Sequence, residues 1–179
     1  ICKCEFSEMM KKQNIVLIGM PGAGKSTVGV LLAKQLGLNF IDTDVLIQVR
    51  EKQTLQELLD AQGYLALRAA EEKVLLSLFD GSDECGGVVI ATGGSAVYSE
   101  AGMRNLAANA TIVYLDVPLD ELRKRVVNYD SRGIAARADQ SFEDLFAERN
   151  ALYQQYGEVV MPAFDCRAEE VVSAVILAL

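Results

Sequence analysis

Histidine is absent from all 179 residues of the chain, which excludes any zinc site built with imidazole. Cysteine is sparse, and Cys2, Cys4, Cys85 and Cys166 are scattered. The Cys2-Lys3-Cys4 spacing is too tight for the usual two-residue gap of a zinc or redox pair. Reduced thiols in a cytoplasmic protein are therefore expected. Positive charge is also short: 17 Lys and Arg face 25 Asp and Glu, for a net charge of −8. A protein that coats nucleic acid needs a basic face, and none is visible, so no nucleic-acid partner is expected. A few placed Arg and Lys can still make a local anion site. No apolar run approaches the roughly 18 residues that cross a bilayer, so no membrane partner is expected either. Residues 171–179 are apolar but short, and read as a terminal helix.

The composition is otherwise that of a folded domain, with 51% apolar residues and enough length to bury a full core. Residues 1–8 precede Met9-Met10-Lys11-Lys12, which looks like a start, and they lack the apolar core of a signal peptide. Residues 1–10 are read as an N-terminal extension outside the fold, and 11–179 as a single domain. A monomer is expected.

Strand and helix signals alternate along that domain. Residues 14–18 form a β-branched run ending in glycine, a buried-strand signal. Residues 25–36 place Val28, Leu31, Leu32 and Leu36 on one helical face, closed by Gly37. A strand is predicted at 40–41 and a helix at 45–52. Thr54 and Glu57 make a capping box, and a long helical stretch runs over 67–79. After a loop at 81–87 come a strand at 88–91, a helix at 99–107 and a strand at 112–115. Pro118 opens a helix to about residue 128. Residues 128–140 have no clear period. Ser141 and Asp144 cap a helix to about 156, followed by a short strand at 159–160 and a helix at 168–179. Such alternation predicts one α/β domain with a parallel sheet covered on both faces.

The first strand runs into Gly19-Met20-Pro21-Gly22-Ala23-Gly24-Lys25-Ser26, and a helix follows. Glycines in that pattern let backbone N–H groups converge on phosphates, and the helix aims its positive end at them. Lys25 would reach the β- and γ-phosphates, and the Ser26 hydroxyl would ligate Mg²⁺. The spacing does not match the dinucleotide fingerprint. The loop alone does not separate a kinase from a GTPase, a motor or a nucleotide switch.

Asp42-Thr43-Asp44 ends the second strand, where residues face the ligand crevice of a parallel sheet. The two carboxylates divide labour on this reading, one toward Mg²⁺ and one toward an acceptor hydroxyl. A helix N-cap explains them equally well. Gly93 and Gly94 end the third strand and either admit a substrate to the backbone or make a tight turn. Arg68 is an anion clamp or a snorkelling surface residue. Arg149, among Glu143, Asp144 and Glu148, is open to reading as a surface ion pair.

In order, GMPGAGKST, FIDTD, Arg68 five residues after Gly63, TGG, TIVYLDVP and ERNALY resemble the shikimate kinase family over nearly all of residues 14–165. The resemblance implies the three-layer P-loop kinase fold, a five-stranded parallel sheet in the order 2-3-1-4-5 with helices on both faces. It implies ATP- and Mg²⁺-dependent phosphorylation of the 3-hydroxyl of shikimate. Carried over, Gly22, Ala23, Gly24, Lys25, Ser26 and Thr27 hold the phosphates, and Ser26 and Asp42 serve the metal. Asp44 holds the acceptor hydroxyl and is the family's candidate base. Arg68 and Arg149 grip the substrate carboxylate, and Gly93 and Gly94 line the substrate. Arg125 packs on adenine, and Arg132 reaches the transferring phosphates from a lid at 128–140. The chain departs from the family pattern at Ser95, where a third glycine is usual, and after Arg132, where Gly133-Ile134 replaces Pro-Leu. It also departs at Asn150-Ala151 and at Tyr64, where an acidic residue is common. Ser95 would add a hydroxyl contact or crowd the substrate ring. A kinase for another hydroxy acid or sugar acid, and an ATP-binding switch without acceptor turnover, are the competing readings.

Overall fold

The computed structural model describes residues 14–79, 87–125, 135, 137 and 140–179. The expected N-terminal extension, nearly all of the expected loop at 81–87, and most of the expected lid with Arg132 lie outside the described residues.

Strand β1 (Ile15–Ile18) is buried at every position. An apolar run with no polar alternation is what a strand covered on both faces requires, and β1 is the central strand of the sheet. Helix α1 (Lys25–Leu36) follows and closes on Gly37, as its spacing predicts. Strand β2 (Asn39–Asp42) leads directly into α2 (Thr43–Glu51), two residues earlier than the pattern suggests, because Asp42 caps it by accepting from the Asp44 amide. The next helix, α3 (Leu55–Ser77), starts at the expected Thr54–Glu57 capping box. It joins that short turn to the expected stretch from 67, and it breaks only at Gly63, with φ 81 and ψ 171. That backbone conformation is essentially closed to residues with a Cβ.

Strand β3 (Val88–Ala91) is followed by a 3₁₀ turn at Ala96–Tyr98, α4 (Glu100–Asn109) and β4 (Thr111–Asp116). Helix α5 is described over Leu119–Arg125 and α6 over Phe142–Tyr156 with Ser141 as its cap. Strand β5 (Val159–Pro162) and α7 (Ala168–Ala178) complete the chain. Pro162 is tolerated because β5 is an edge strand.

All four strand pairings are parallel, in the order β2-β3-β1-β4-β5. Right-handed crossovers then fix the layers. The β1-to-β2 connection runs one way across the sheet and carries α1, while later connections run the other way and carry α3 and α4 on the opposite face. The packing agrees: α1 lies against α7, and α3 against α2 and α4. The main core spans both faces of β1 and β4, including Leu17, Leu32, Leu75, Leu106, Leu115 and Val175. No helix among the described residues is long and apolar enough to cross a membrane. Among the described residues, Cys166 is a free, exposed thiol.

Candidate active site

The carboxyl ends of β1, β2 and β3 open onto one cleft of about 420 Å³. The phosphate loop forms one wall. Helix α1 begins there with Gly24 as its N-cap and no side chain satisfying its first-turn amides, so those donors are left for a ligand. Gly22, Gly24, Lys25, Ser26 and Thr27 line the cleft. Ala23 lies behind it, 2% exposed, with its amide spent on the Met20 carbonyl.

Lys25 folds back on the loop and donates to the carbonyls of Gly19 at 2.7 Å and Met20 at 2.9 Å. Burial pulls its ammonium down to about 8, with the Arg149 charge adding to the effect and Asp44, Asp42 and Glu71 opposing it. Ser26 Oγ donates to Asp42 Oδ2 at 2.7 Å, and Asp42 Oδ1 accepts from the Asp44 amide at 3.0 Å. Asp42 therefore serves as helix cap and phosphate-loop partner at once. Asp44, one residue into α2, lines the cleft instead. Burial raises its carboxyl above the ordinary range, the neighbouring Asp42 raises it further, and Lys25 opposes both.

The β3 end forms the facing wall. Thr43 Oγ1 accepts from the Gly93 amide at 3.0 Å, and Tyr153 donates to the Gly94 carbonyl at 2.6 Å, so both glycines are held by the backbone. A Cβ on Gly94 would lie 2.8 Å from Pro21 and 2.9 Å from Arg149 Nη1. Only glycine leaves room there for the arginine. Arg149 is 0% exposed, which overturns its reading as a surface ion pair. Its Nη2 donates to the Ala135 carbonyl at 2.7 Å, and its Nε has no hydrogen-bond partner among the described residues.

Arg68 takes a different position. Its guanidinium carbon lies 3.5 Å from the Tyr98 ring centroid and 5.2 Å from that of Tyr64, and it is not among the residues lining the cleft. Arg149 lies 5.4 Å from the same Tyr98 ring, so one tyrosine ring serves both cations. Arg125 lines the cleft at its far side and donates to the Ala163 carbonyl at 3.1 Å.

Two residues escaped the sequence reading. Tyr98 gave no signal beyond an aromatic after the glycine turn. Glu71 gave one: on α3 it falls in the apolar stripe of Leu67, Ala70, Val74 and Leu75, where a carboxylate is out of place. It is 3% exposed and lines the cleft. Ser95 does not present a free hydroxyl to the cleft, because its Oγ donates to Glu71 Oε2 at 2.5 Å. Burial pushes the Glu71 carboxyl up to about 7; Asp44 adds to this, and Ser95, Arg149 and Lys25 oppose it.

The cleft thus sets phosphate-binding amides and a lysine opposite a buried arginine and two carboxylates, the arrangement of a phosphotransferase. The family model described as shikimate kinase matches residues 21–179. A shikimate kinase of Haemophilus influenzae is 32% identical over 171 residues, covering 94% of this chain and 93% of that protein. One from Aliivibrio salmonicida is 34% identical over 170 residues, covering 94% and 96%. The solved structure of shikimate kinase from Acinetobacter baumannii in complex with shikimate superposes with a TM-score of 0.84 at 27% identity, covering 96% of each chain. With the sheet order, the phosphate loop and a family match over most of its length in agreement, the chain belongs to the shikimate kinase family.

Proposed function

We propose that the protein transfers the γ-phosphoryl group of ATP to the 3-hydroxyl of shikimate. The observation that carries this reading is the single cleft in which Lys25 and the phosphate loop face Asp44 and the buried Arg149. Phosphoryl transfer asks a protein mainly for alignment and charge neutralisation, and those residues supply both.

The loop amides and the side chains of Lys25, Ser26 and Thr27 hold the triphosphate, with Arg125 on the adenine side. Lys25 gives up its two carbonyl partners for phosphate oxygens when nucleotide enters. The Ser26 hydroxyl and the Asp42 carboxylate, already 2.7 Å apart, are a donor set that suits Mg²⁺, which takes few protein ligands beside phosphate and water. Bound there, the ion would supply charge neutralisation at the β- and γ-phosphates. Arg149 binds the acceptor's carboxylate from inside the cleft, and Arg68 turns from its tyrosine faces to share it. The forked geometry of a guanidinium fixes orientation as well as charge. Gly93 and Gly94 let the ring lie close to the backbone. Asp44 accepts a hydrogen bond from the attacking hydroxyl and holds it in line. Its raised pKa equips it to take the proton as the new ester bond forms. Arg132 meets the transferring phosphoryl group and adds to its charge neutralisation. The protein acts as a cytoplasmic monomer, with no membrane or nucleic-acid partner.

Coupled ADP release with Mg²⁺-ATP tests this across shikimate and a panel of other hydroxy acids and sugar acids. Shikimate is expected to be the preferred acceptor. A higher kcat/KM with another hydroxy acid would replace it, and ADP release indifferent to every acceptor would remove the transfer reading.

A further inference from the structure

Two arginines from two helices meet at one ring that the transfer outlined above does not use. Tyr98 sits on the 3₁₀ turn after Gly93 and Gly94, and that turn packs against both α3 and α6. The turn is held by its own backbone: the Tyr98 amide donates to the Ser95 carbonyl at 3.0 Å and the Ser99 amide to the Ala96 carbonyl at 3.1 Å. The guanidinium carbon of Arg68, on α3, stands 3.5 Å over the ring centroid, and that of Arg149, on α6, lies 5.4 Å from it. Tyr64 gives Arg68 a second ring at 5.2 Å.

A ring face answers the charge of a guanidinium but takes none of its N–H donors, which lie in the plane of the group. Arg68 shows the result, because its Nε is buried with no hydrogen-bond partner among the described residues. The carboxylates that could pair with it are engaged elsewhere. Glu71 and Glu72, three and four positions along the same helix, accept from Ser95 and Ser99, each at 2.5 Å. Those two serines bound the turn that carries Tyr98. Glu148, close enough to feel the Arg68 charge, accepts from Gln140 at 2.8 Å and lies 3.6 Å from Arg137. Arg137 is exposed, and such a surface pair is weak, so Glu148 is the carboxylate best placed to exchange it for Arg68.

We propose that Tyr98 is a positioning residue for recognition of the acceptor's carboxylate, its ring holding Arg68 near Arg149 with donors unspent and keeping it from Glu148. The proposal rests on the transfer reading and adds a residue to its acceptor side. Tyr98 is not among the residues lining the cleft, so it acts through the arginine. A carboxylate bound at Arg149 draws Arg68 off the ring, exchanging a cation–ring contact for a forked, charge-assisted pair. Were Arg68 already paired with Glu148, the acceptor would have to break one ion pair to make another.

The test measures kcat and the KM values for shikimate and ATP in the wild type, Tyr98→Phe, Tyr98→Leu, Glu148→Gln and the combination of the last two. Tyr98→Phe keeps the ring, and the hydroxyl it removes has no hydrogen-bond partner among the described residues, although Glu148 and Arg149 flank it. Its KM for shikimate is expected within about twofold of the wild type. Tyr98→Leu is expected to raise that KM roughly tenfold, with kcat and KM for ATP little changed. Glu148→Gln is expected to change little alone and to recover most of the loss when added to Tyr98→Leu, which mere loss of packing would not allow. Tyr98→Met takes the place of the leucine variant if that one folds poorly. An unchanged KM without the ring, equal losses in kcat and both KM values, a phenylalanine variant as weak as the leucine one, or no recovery in the combined variant would each overturn the proposal and leave the transfer reading intact. A wild type that phosphorylates no carboxylated acceptor would overturn both together.

Discussion

Lys25 has two roles in succession in the proposed reaction. Its ammonium donates to the loop carbonyls of Gly19 and Met20, and burial holds it down to about 8. Phosphate oxygens favour the charged form, so nucleotide binding at pH 8 is expected to take up on the order of half a proton. Titration calorimetry of ATP binding in buffers of different ionisation enthalpy reads this directly, and buffer-independent heats would contradict it. Arg149 gives a second residue-scale expectation: Arg149→Ala is expected to raise KM for shikimate roughly thirtyfold or more and to change KM for ATP little. Equal effects on both would place the arginine outside the acceptor site. Glu71 gives the third, on stability. Its folded pKa is raised, so its neutral form suits the fold. Its contribution is fully present below the unfolded value near 4.5 and is lost as pH rises to about 7. Glu71→Gln removes that loss, so the variant is expected to gain stability over the wild type between pH 5 and pH 8. The gain is at most about 3 kcal/mol, read from urea melts of the apo protein. A gain independent of pH would mean Glu71 does not titrate in that range.

Elements explain why some of this was legible in the sequence and some was not. The phosphate loop is local: strand, glycines, lysine and helix follow in one stretch, so its place and chemistry could be read from spacing. The same holds for the Asp42 cap and for the box at Thr54 and Glu57. Arg149 was ambiguous because its acidic sequence neighbours lie on other faces of α6, and only packing shows that its own face is inside. Ser95 and Glu71 lie 24 positions apart on different elements, and nothing in either segment announces the other. Tyr98 met two arginines from two helices, again a tertiary event. The break in α3 belongs to this scale as well. Gly63 lets the chain step out of helical geometry before Arg68 and Glu71, and so sets which way both face. Gly63→Ala is expected to cost roughly 1–3 kcal/mol in urea unfolding, since φ 81 and ψ 171 is closed to a residue with a Cβ. A neutral substitution would mean that the step is not required.

Across the whole molecule, the sheet order decides where chemistry can happen. With β1 central, and the connections that leave β1 and β3 running toward opposite edges, the carboxyl ends of β1, β2 and β3 converge on one crevice, the usual ligand site of an open parallel sheet. The phosphate loop, the Asp42–Asp44 pair and the Gly93–Gly94 turn come from those ends, so fold and site have one cause. The whole-molecule claim is that the two halves of the cleft act on one reaction rather than on nucleotide alone. Its most direct test is ³¹P NMR of ATP incubated with the protein, Mg²⁺ and shikimate. Loss of the γ-phosphate resonance is expected to be matched by one new phosphate ester coupled to the proton on carbon 3 of shikimate. Inorganic phosphate in its place, with no ester formed, would contradict the account.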